Sequence, residues 1–275
     1  MSREAQPALL GRRNPRVARL RRIIQREEPE LTVVDGLKLV EDLAERGVPI
    51  VELFTVQEHL ARLHSNPALR EVVVGDRVSL LDPATMAHLA PTRQTQGLLA
   101  VVAAPAGRLR AEGVALYLDR VQDPGNVGSV IRCAAAFAAT GVACSQGCAD
   151  PFSPRAVRAS AGQSLLLPVQ PEAGLGPLAE AFRGAGGEVV GTVGSGGTPL
   201  REWHPRRPVL LVLGNEGQGL AEEVSAACAR HVTVPLAGAV NSLNVAVTAG
   251  VILATLSGVA GSPILRGQGL KRRQR

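Results

Sequence analysis

The stretch that most constrains the fold of this chain is residues 210–220, which read LLVLGNEGQGL. Its apolar beginning predicts a buried strand over Val209–Leu213, and a turn with three glycines and one carboxylate, Glu216, follows at once. Glycine lets a backbone take positive φ and approach a ligand closely, and ligands bind at the carboxyl ends of strands in open α/β sheets. The stretch therefore indicates either a ligand-binding loop or a plain strand-to-helix turn with a solvated glutamate.

Short apolar strands alternate with helical segments along the rest of the chain, which predicts an α/β fold. The sequence divides into a basic N-terminal extension with a helix (1–30), a small α/β domain (31–102), a linker rich in Ala, Gly and Pro (103–113), a second α/β domain (114–262) and a basic tail (263–275). The strands expected in the first domain are 31–34, 49–56, 71–74 and 97–103. Those expected in the second are 114–119, 142–144, 165–169, 188–193, 209–213 and 231–236, followed by a long apolar helix that ends near Gly258.

Positive charge is concentrated at the two ends of the chain. Residues 1–30 carry eight Arg and four Glu, and residues 262–275 carry five basic residues and no acid, whereas the formal net charge of the whole chain is +6. Basic ends are typical of proteins that bind polyanions, and solvated tails are the alternative interpretation. Because only 2% of the residues are aromatic, a base-stacking platform for nucleic acid is not expected.

Composition also argues against several classes of protein. No apolar run reaches the ~18 residues of a membrane span, and no apolar segment follows the N-terminal arginines, so we expect a cytoplasmic protein with no membrane partner. The cysteines, Cys133, Cys144, Cys148 and Cys228, lack zinc spacing and are expected to be reduced, buried, apolar residues. No dinucleotide fingerprint follows any strand, which disfavours an oxidoreductase.

Three motifs occur in order in the second domain: DPGNVGSVIR at 123–132, LGNEGQGL at 213–220 and VPLAGAVNSLNV at 234–245. In these motifs the chain resembles the SpoU (TrmH-like) family of RNA ribose 2′-O-methyltransferases, and the resemblance covers roughly residues 112–260. Residues 31–102 look like the small substrate-binding domain of that family, which is similar to ribosomal protein L30e.

The resemblance implies a fold, a cofactor and an assembly. The fold would be a small L30e-like α/β domain followed by a parallel-sheet α/β domain with a C-terminal trefoil knot of the SPOUT type. The cofactor would be S-adenosylmethionine, with no metal, and the protein would be a homodimer with its site at the subunit interface. The implied reaction centre is Asn126, Arg132, Glu216, Ser242 and Asn244, and the residues implied around the cofactor are Thr192, Leu213, Gly214, Asn215, Gly217, Val234, Leu236 and Leu243.

These residue types suit methyl transfer to a ribose hydroxyl. Asn126, Ser242 and Asn244 are neutral donors and acceptors that can orient a ribose without competing for protons. The family's proposed role for Arg132 is general base, but a guanidinium stays protonated in proteins, so a fork on the neighbouring phosphate is the alternative. Glu216 can orient either Arg132 or the acceptor. Taken alone, Asn126 is also a good helix cap and Arg132 an ordinary surface cation.

The function expected from the resemblance is S-adenosylmethionine-dependent 2′-O-methylation of a ribose in structured RNA. We favour 23S rRNA because an L30e-like domain precedes the catalytic one. The alternatives are a tRNA methyltransferase and a catalytically silent RNA-binding protein of the same fold, and binding of S-adenosylmethionine by purified protein separates the silent protein from the enzymes. We also expect Gly217→Val to block cofactor binding by filling space beside the backbone.

Overall fold

A computed structural model describes residues 7–74, 77–91, 95–238 and 240–258. The chain forms two compact units, Met1–Pro105 with Asp150–Leu166, and Ala106–Ala149 with Leu167–Arg275. The strands are β1 Leu9–Leu10, β2 Leu31–Asp35, β3 Ile50–Thr55, β4 Val78–Leu81, β5 Leu98–Ala103, β6 Val114–Leu118, β7 Val142–Cys144, β8 Val169–Gln170, β9 Glu188–Thr192, β10 Thr198–Pro199, β11 Val209–Leu213 and β12 Arg230–Thr233. The helices are α1 Pro15–Ile24, α2 Leu37–Glu45, α3 Leu60–Ser65, α4 Arg70–Val74, α5 Pro83–Leu89, α6 Pro124–Ala136, α7 Pro154–Ala159, α8 Leu175–Gly184, α9 Glu222–Ala226 and α10 Val245–Gly258.

The first unit is built on a mixed five-stranded sheet in the order β1-β4-β3-β5-β2. β4 runs parallel to β1 and β3, whereas β5 runs antiparallel to β2 and β3. α1 places Val17, Leu20 and Ile23 in the core of this unit, and Asn14 caps the helix by accepting from the Arg16 N–H at 2.9 Å. The N-terminal segment is therefore built into both the sheet and the core.

Acidic partners balance part of the positive charge in this segment. Glu28 pairs with Arg19 at 3.0 Å and with Arg22 at 3.1 Å. Glu28 thus partly neutralises the positive charge of these two arginines within the fold. The sequence alone would assign that charge to the binding of a polyanion. The basic tail predicted at 263–275 lies outside the described residues.

Residues 150–166 pack in the first unit, although their place in the sequence lies between strands of the second. The Arg26 Nε donates to Asp150 Oδ2 at 2.6 Å, and the Thr32 hydroxyl donates to the Phe152 carbonyl at 2.5 Å. Phe152 is 2% exposed. Residues 150–166 are held in the first unit by burial and by hydrogen bonds to residues more than a hundred positions earlier in the chain.

The second unit is built on a seven-stranded sheet in the order β10-β12-β9-β11-β6-β7-β8, and all its described strand pairs are parallel. This arrangement confirms the predicted parallel-sheet α/β domain. From β6 the chain first adds β7 and β8 on one side, and it later adds β9, β11 and β12 on the other. Folds with such a switch in direction bind ligands beyond the carboxyl ends of their central strands, and β11 is one of the central strands here.

Two predicted strands are wrong. Residues 71–74 belong to α4, in which Val72 is buried, so packing overrides the β-branched composition of the three valines. Residues 165–169 give a 3₁₀ turn at Gln163–Leu165 and then Pro168, which has no N–H for a ladder, and only Val169–Gln170 pairs with β7. The sequence analysis also did not predict β4.

The cysteines are less buried than expected. All four are free, but only Cys144 is buried, and Cys133, Cys148 and Cys228 are half-buried. Among the residues that the structure describes, no helix is both long enough and apolar enough to cross a bilayer.

We expect Gly162→Ala to destabilise the first unit by about 1–3 kcal/mol. Gly162 has a φ of +77°, and an added Cβ would lie 2.8 Å from a methyl carbon of the buried Leu43. Gly176→Ala is the matched control, because a Cβ at Gly176 in α8 meets nothing within 4 Å. Chemical denaturation followed by circular dichroism measures both variants, and equal stability of the two would contradict the packing of residues 150–166.

Candidate active site

The turn after β11 is closed by backbone contacts that leave no room for a side chain at Gly214. An added Cβ there would lie 2.6 Å from both the Gly219 carbonyl oxygen and the Leu220 nitrogen. Asn215 and Gly219 exchange two backbone hydrogen bonds at 3.0 and 2.9 Å, and Gly219 takes a φ of +69°. Gly214 therefore serves a close backbone approach and Gly219 a positive φ, the two uses of glycine that the stretch predicts.

The Asn215 side chain fixes the same turn. Its Oδ1 accepts from the backbone N–H of Gly217 at 2.9 Å and of Gln218 at 3.1 Å. Its Nδ2 donates to the Arg120 carbonyl at 2.9 Å. The turn after β11 is thus tied to the segment that follows β6, the neighbouring strand.

A cavity of about 360 Å³ lies at the carboxyl ends of β9, β11 and β12 and reaches α10. Among the described residues that line it, Glu216 has the one ionisable side chain, and no lining residue is a cation. The residues that line the cavity are Thr192, Val193, Gly194, Leu213, Gly214, Asn215, Glu216, Gln218, Gly219, Leu220, Ser225, Val232, Val234, Leu236, Ser242, Leu243, Val245, Thr248 and Ile252.

All of the residues predicted around the cofactor line this cavity except Gly217. A Cβ at Gly217 would meet only Asn215 Oδ1, at the ordinary contact distance of 3.6 Å, so crowding within the protein falls on Gly214 and not on Gly217. That Gly217→Val blocks cofactor binding stays a prediction. The sequence analysis missed Ser225 on α9 and Thr248 on α10. No local signal marks them, because each reaches the cavity only through the packing of its helix.

Three side chains form a hydrogen-bonded series beside the cavity. Asn126 Nδ2 donates to Glu216 Oε1 at 2.5 Å, and Asn244 Nδ2 donates to Asn126 Oδ1 at 2.9 Å. Asn244 Oδ1 accepts from the Ala246 N–H at 2.9 Å, at the start of α10. The series, which we call the Glu216–Asn126–Asn244 series, joins the first turn of α6 and the loop after β11 to the loop before α10.

Asn126 is not the cap of α6. Asp123 is the N-cap, and its carboxylate accepts from the Asn126 N–H at 3.0 Å. The interpretation of Asn126 as a simple helix cap is therefore wrong, and its amide group is instead engaged with Glu216 and Asn244.

The remaining predicted reaction residues, Ser242 and Arg132, differ in their placement. Ser242 lines the cavity together with Glu216. Arg132 is exposed on α6 and does not line it. Within the described part of the chain, no hydrogen bond or ion pair joins Arg132 to the series, so its expected approach to the reaction centre is not found within one chain.

Possible metal ligands do not cluster in the part of the chain that the structure describes. Over residues 7–74, 77–91, 95–238 and 240–258, no group of three or more His, Cys, Asp or Glu side chains could hold a metal ion.

The fold and the cavity define a class of protein, a parallel α/β protein with a ligand cavity at the carboxyl ends of the strands on one side of its sheet. Residues 113–254 match the SpoU rRNA Methylase family. An uncharacterized tRNA/rRNA methyltransferase of Synechocystis is 33% identical over 90% of this chain and 92% of its own length. The 23S rRNA (guanosine(2553)-2′-O)-methyltransferase RlmP of Bacillus subtilis is 28% identical over 85% of this chain and 91% of its own length.

Solved structures that are similar to this chain are also named methyltransferases. The SpoU methyltransferase AviRb from Streptomyces viridochromogenes, in complex with AdoMet, has a TM-score of 0.76 and 28% identity, and the match covers 89% of this chain and 97% of that one. An AdoMet-bound rRNA methyltransferase from Sinorhizobium meliloti has a TM-score of 0.78 and 28% identity, and the match covers 91% of this chain and 97% of that one. This chain belongs to the SpoU methylase family, and it is an RNA methyltransferase. The L30e likeness and the trefoil knot stay predictions.

We expect Gly214→Ala to weaken binding of S-adenosylmethionine by about 10- to 100-fold, because overpacking against backbone typically costs about 1–3 kcal/mol. Gly217→Ala is the control within the same turn and should change the affinity little, since a Cβ has room there. Isothermal titration calorimetry measures both affinities, with thermal melting to verify folding. A folded Gly214→Ala variant of normal affinity would refute this account of the turn.

Proposed function

We propose that this enzyme transfers a methyl group from S-adenosylmethionine to the 2′-hydroxyl of a ribose in 23S rRNA. The observation that carries the proposal is a cavity whose described lining residues include no cation, flanked by the neutral amides of Asn126, which Glu216 orients, and of Asn244, which donates to Asn126. The name of RlmP and the AdoMet-bound relatives support the substrate and the cofactor.

The cavity fits a sulfonium cofactor. A fixed cation nearby would repel the sulfonium charge, and the described lining residues contribute none. Its size suits a small-molecule ligand, and the buried Leu213 with its apolar neighbours can shield a bound ligand from water. We place the cofactor against the backbone at Thr192, Gly214, Val234 and Leu243. When bound, S-adenosylmethionine supplies an electrophilic methyl group.

The two amide side chains are prepared to bind a ribose. The hydrogen bonds described for Asn126 and Asn244 use one amide N–H of each, and each Nδ2 carries two. The second N–H of each is thus available to a ribose oxygen. A neutral amide donates such a bond without taking a proton, and Glu216 holds Asn126 in one orientation. The chain's contribution here is positioning, which can supply much of the acceleration of such a reaction.

A second subunit would bring Arg132 to the site. α10 begins at the Asn244 end of the series and exposes Val247 (50%) and Val251 (37%) one turn apart. Exposed apolar side chains on one helix face indicate an interface. We therefore propose a homodimer in which Arg132 of one subunit serves the cavity of the other and holds an RNA phosphate as a planar fork.

Arg132→Ala and Arg132→Lys are both expected to slow single-turnover methylation by at least ~10²-fold, because lysine keeps the charge and loses the fork. Cofactor affinity and thermal stability should change little, since Arg132 is exposed. Rapid-quench assays, calorimetry and thermal melting on the same preparations measure these quantities. A near-normal rate for Arg132→Lys would leave only a point-charge role, and a near-normal rate for Arg132→Ala would remove the residue from the mechanism.

Mixed dimers test whether Arg132 acts across subunits. We expect Arg132→Ala and Glu216→Ala proteins to be nearly inactive alone and to regain activity when they are denatured and refolded together. Random mixing makes half of the dimers heterodimers with one intact site each, so about a quarter of wild-type activity should return. Refolding each variant separately is the control. No recovery in a mixture that contains heterodimers would show that Arg132 acts within its own chain.

The function itself is tested with RNA from a strain that lacks this gene. We incubate purified protein and methyl-labelled S-adenosylmethionine with 23S rRNA, with 16S rRNA and with total tRNA, and identify the labelled nucleoside by mass spectrometry. A 2′-O-methylnucleoside in 23S rRNA is the expected result. Label confined to tRNA would establish the alternative substrate, a labelled base would refute ribose methylation, and RNA binding without label would indicate the silent protein.

A further inference from the structure

Asp119 is a buried carboxylate that follows β6 and lies outside the three sequence motifs. It is 2% exposed. Its backbone N–H donates to the Leu213 carbonyl at 2.8 Å, which extends the pairing between β6 and β11 by one residue. Asp119 therefore lies beside the point at which β11 ends and the glycine-rich turn begins.

The Asp119 carboxylate has two partners. Its Oδ2 accepts from the Ala221 N–H at 2.8 Å. The Arg120 guanidinium donates to Oδ1 and to Oδ2, both at 3.2 Å. A buried carboxylate requires such donors, because an uncompensated charge in the interior is costly. Ala221 is the residue at which the turn ends, directly before α9.

The turn is consequently anchored to the β6 segment at both ends. At its start, the Asn215 amide donates to the Arg120 carbonyl, and at its end, the Ala221 N–H donates to Asp119. Glu216 and the cavity-lining Leu220 lie between the two anchors. The bonds within the turn do not involve Asp119, so its loss would free one end of the turn and leave the turn's own hydrogen bonds in place.

We propose that Asp119 is a positioning residue for the cofactor site. By holding Ala221, it fixes the turn that lines the cavity and presents Glu216 to Asn126. The consequence for cofactor affinity rests on the proposed function, whereas the fixing of the turn does not. Asp119 lines neither the cavity nor the series. Loss of its carboxylate should therefore weaken cofactor binding and raise the Michaelis constant for the cofactor, and it should change the reaction rate of the bound complex less.

Glu188 provides a matched control in the same sheet. It is 5% exposed at the start of β9, Oε1 accepts from the Arg206 N–H at 2.8 Å, and Oε2 pairs with Arg230 at 2.9 Å. Like Asp119, it is a buried carboxylate with a backbone N–H and an arginine as partners, and its Oε1 also accepts from Trp203. None of these partners lines the cavity, so Glu188→Ala should disturb the fold of the unit without disturbing the turn.

The experiment compares the full-length wild type with Asp119→Ala, Asp119→Asn and Glu188→Ala, at a temperature at which all are folded. Amide hydrogen exchange follows the peptide that covers 214–221, and calorimetry measures the Kd for S-adenosylmethionine. Asp119→Ala is expected to speed exchange in this peptide and to raise the Kd by about 10-fold or more, the usual effect of losing a hydrogen bond to a charged group. Glu188→Ala should change neither. Asp119→Asn keeps an acceptor for Ala221 and should restore slow exchange and most of the affinity.

A variant on the donor side covers the case in which Asp119→Ala does not fold. Ala221→Pro removes the N–H that donates a hydrogen bond to Asp119, and the φ of −60° at Ala221 already suits proline. It is expected to speed exchange in the turn and to raise the Kd in the same way.

Equal losses of affinity in Asp119→Ala and Glu188→Ala would overturn the proposal, because general destabilisation would then explain both. Unchanged exchange in the turn of Asp119→Ala, or an asparagine no better than alanine, would also overturn it. If the wild type itself fails to bind S-adenosylmethionine, the proposed function fails, and the exchange data still decide whether Asp119 holds the turn.

Discussion

The cavity that we propose as the cofactor site depends on one close contact, between Gly214 at the end of β11 and the backbone of Gly219 and Leu220. Because backbone meets backbone at this point, no neighbouring side chain can move aside to admit a Cβ at Gly214. The contact folds the turn back on the strand that precedes it, so that main-chain atoms border the cavity. Glu216 projects from this turn, and its position relative to Asn126 follows from the same contact.

The polar part of the site is assembled from loops that are distant in sequence. Asn126 and Glu216 are 90 residues apart, and Asn126 and Asn244 are 118 apart, yet hydrogen bonds link the three side chains in series. This arrangement fixes the amide groups, and the described residues that line the neighbouring cavity include no cation. One chain leaves Arg132 exposed and outside the cavity lining, and in the homodimer that we propose the other subunit would supply this residue.

The sequence predicts the features whose signal is local. Val209–Leu213 is an apolar run that ends in glycines, and it forms the central strand with the predicted bounds. The motifs also mark most of the residues that line the cavity. Long-range packing decides what the sequence does not show. Residues 71–74 include three β-branched valines and are helical, and residues 150–166 pack in the first unit. Asp119 accepts a hydrogen bond from the N–H of Ala221, which lies 102 residues later in the chain.

A crystal structure of the protein grown with saturating S-adenosylmethionine tests the central claim most directly. The account predicts that the cofactor occupies the cavity at the carboxyl ends of β9, β11 and β12, against the backbone of Thr192, Gly214 and Leu243, with the Glu216–Asn126–Asn244 series intact beside it. Cofactor bound elsewhere on the protein, or a cavity that stays empty at saturating cofactor, would contradict the account.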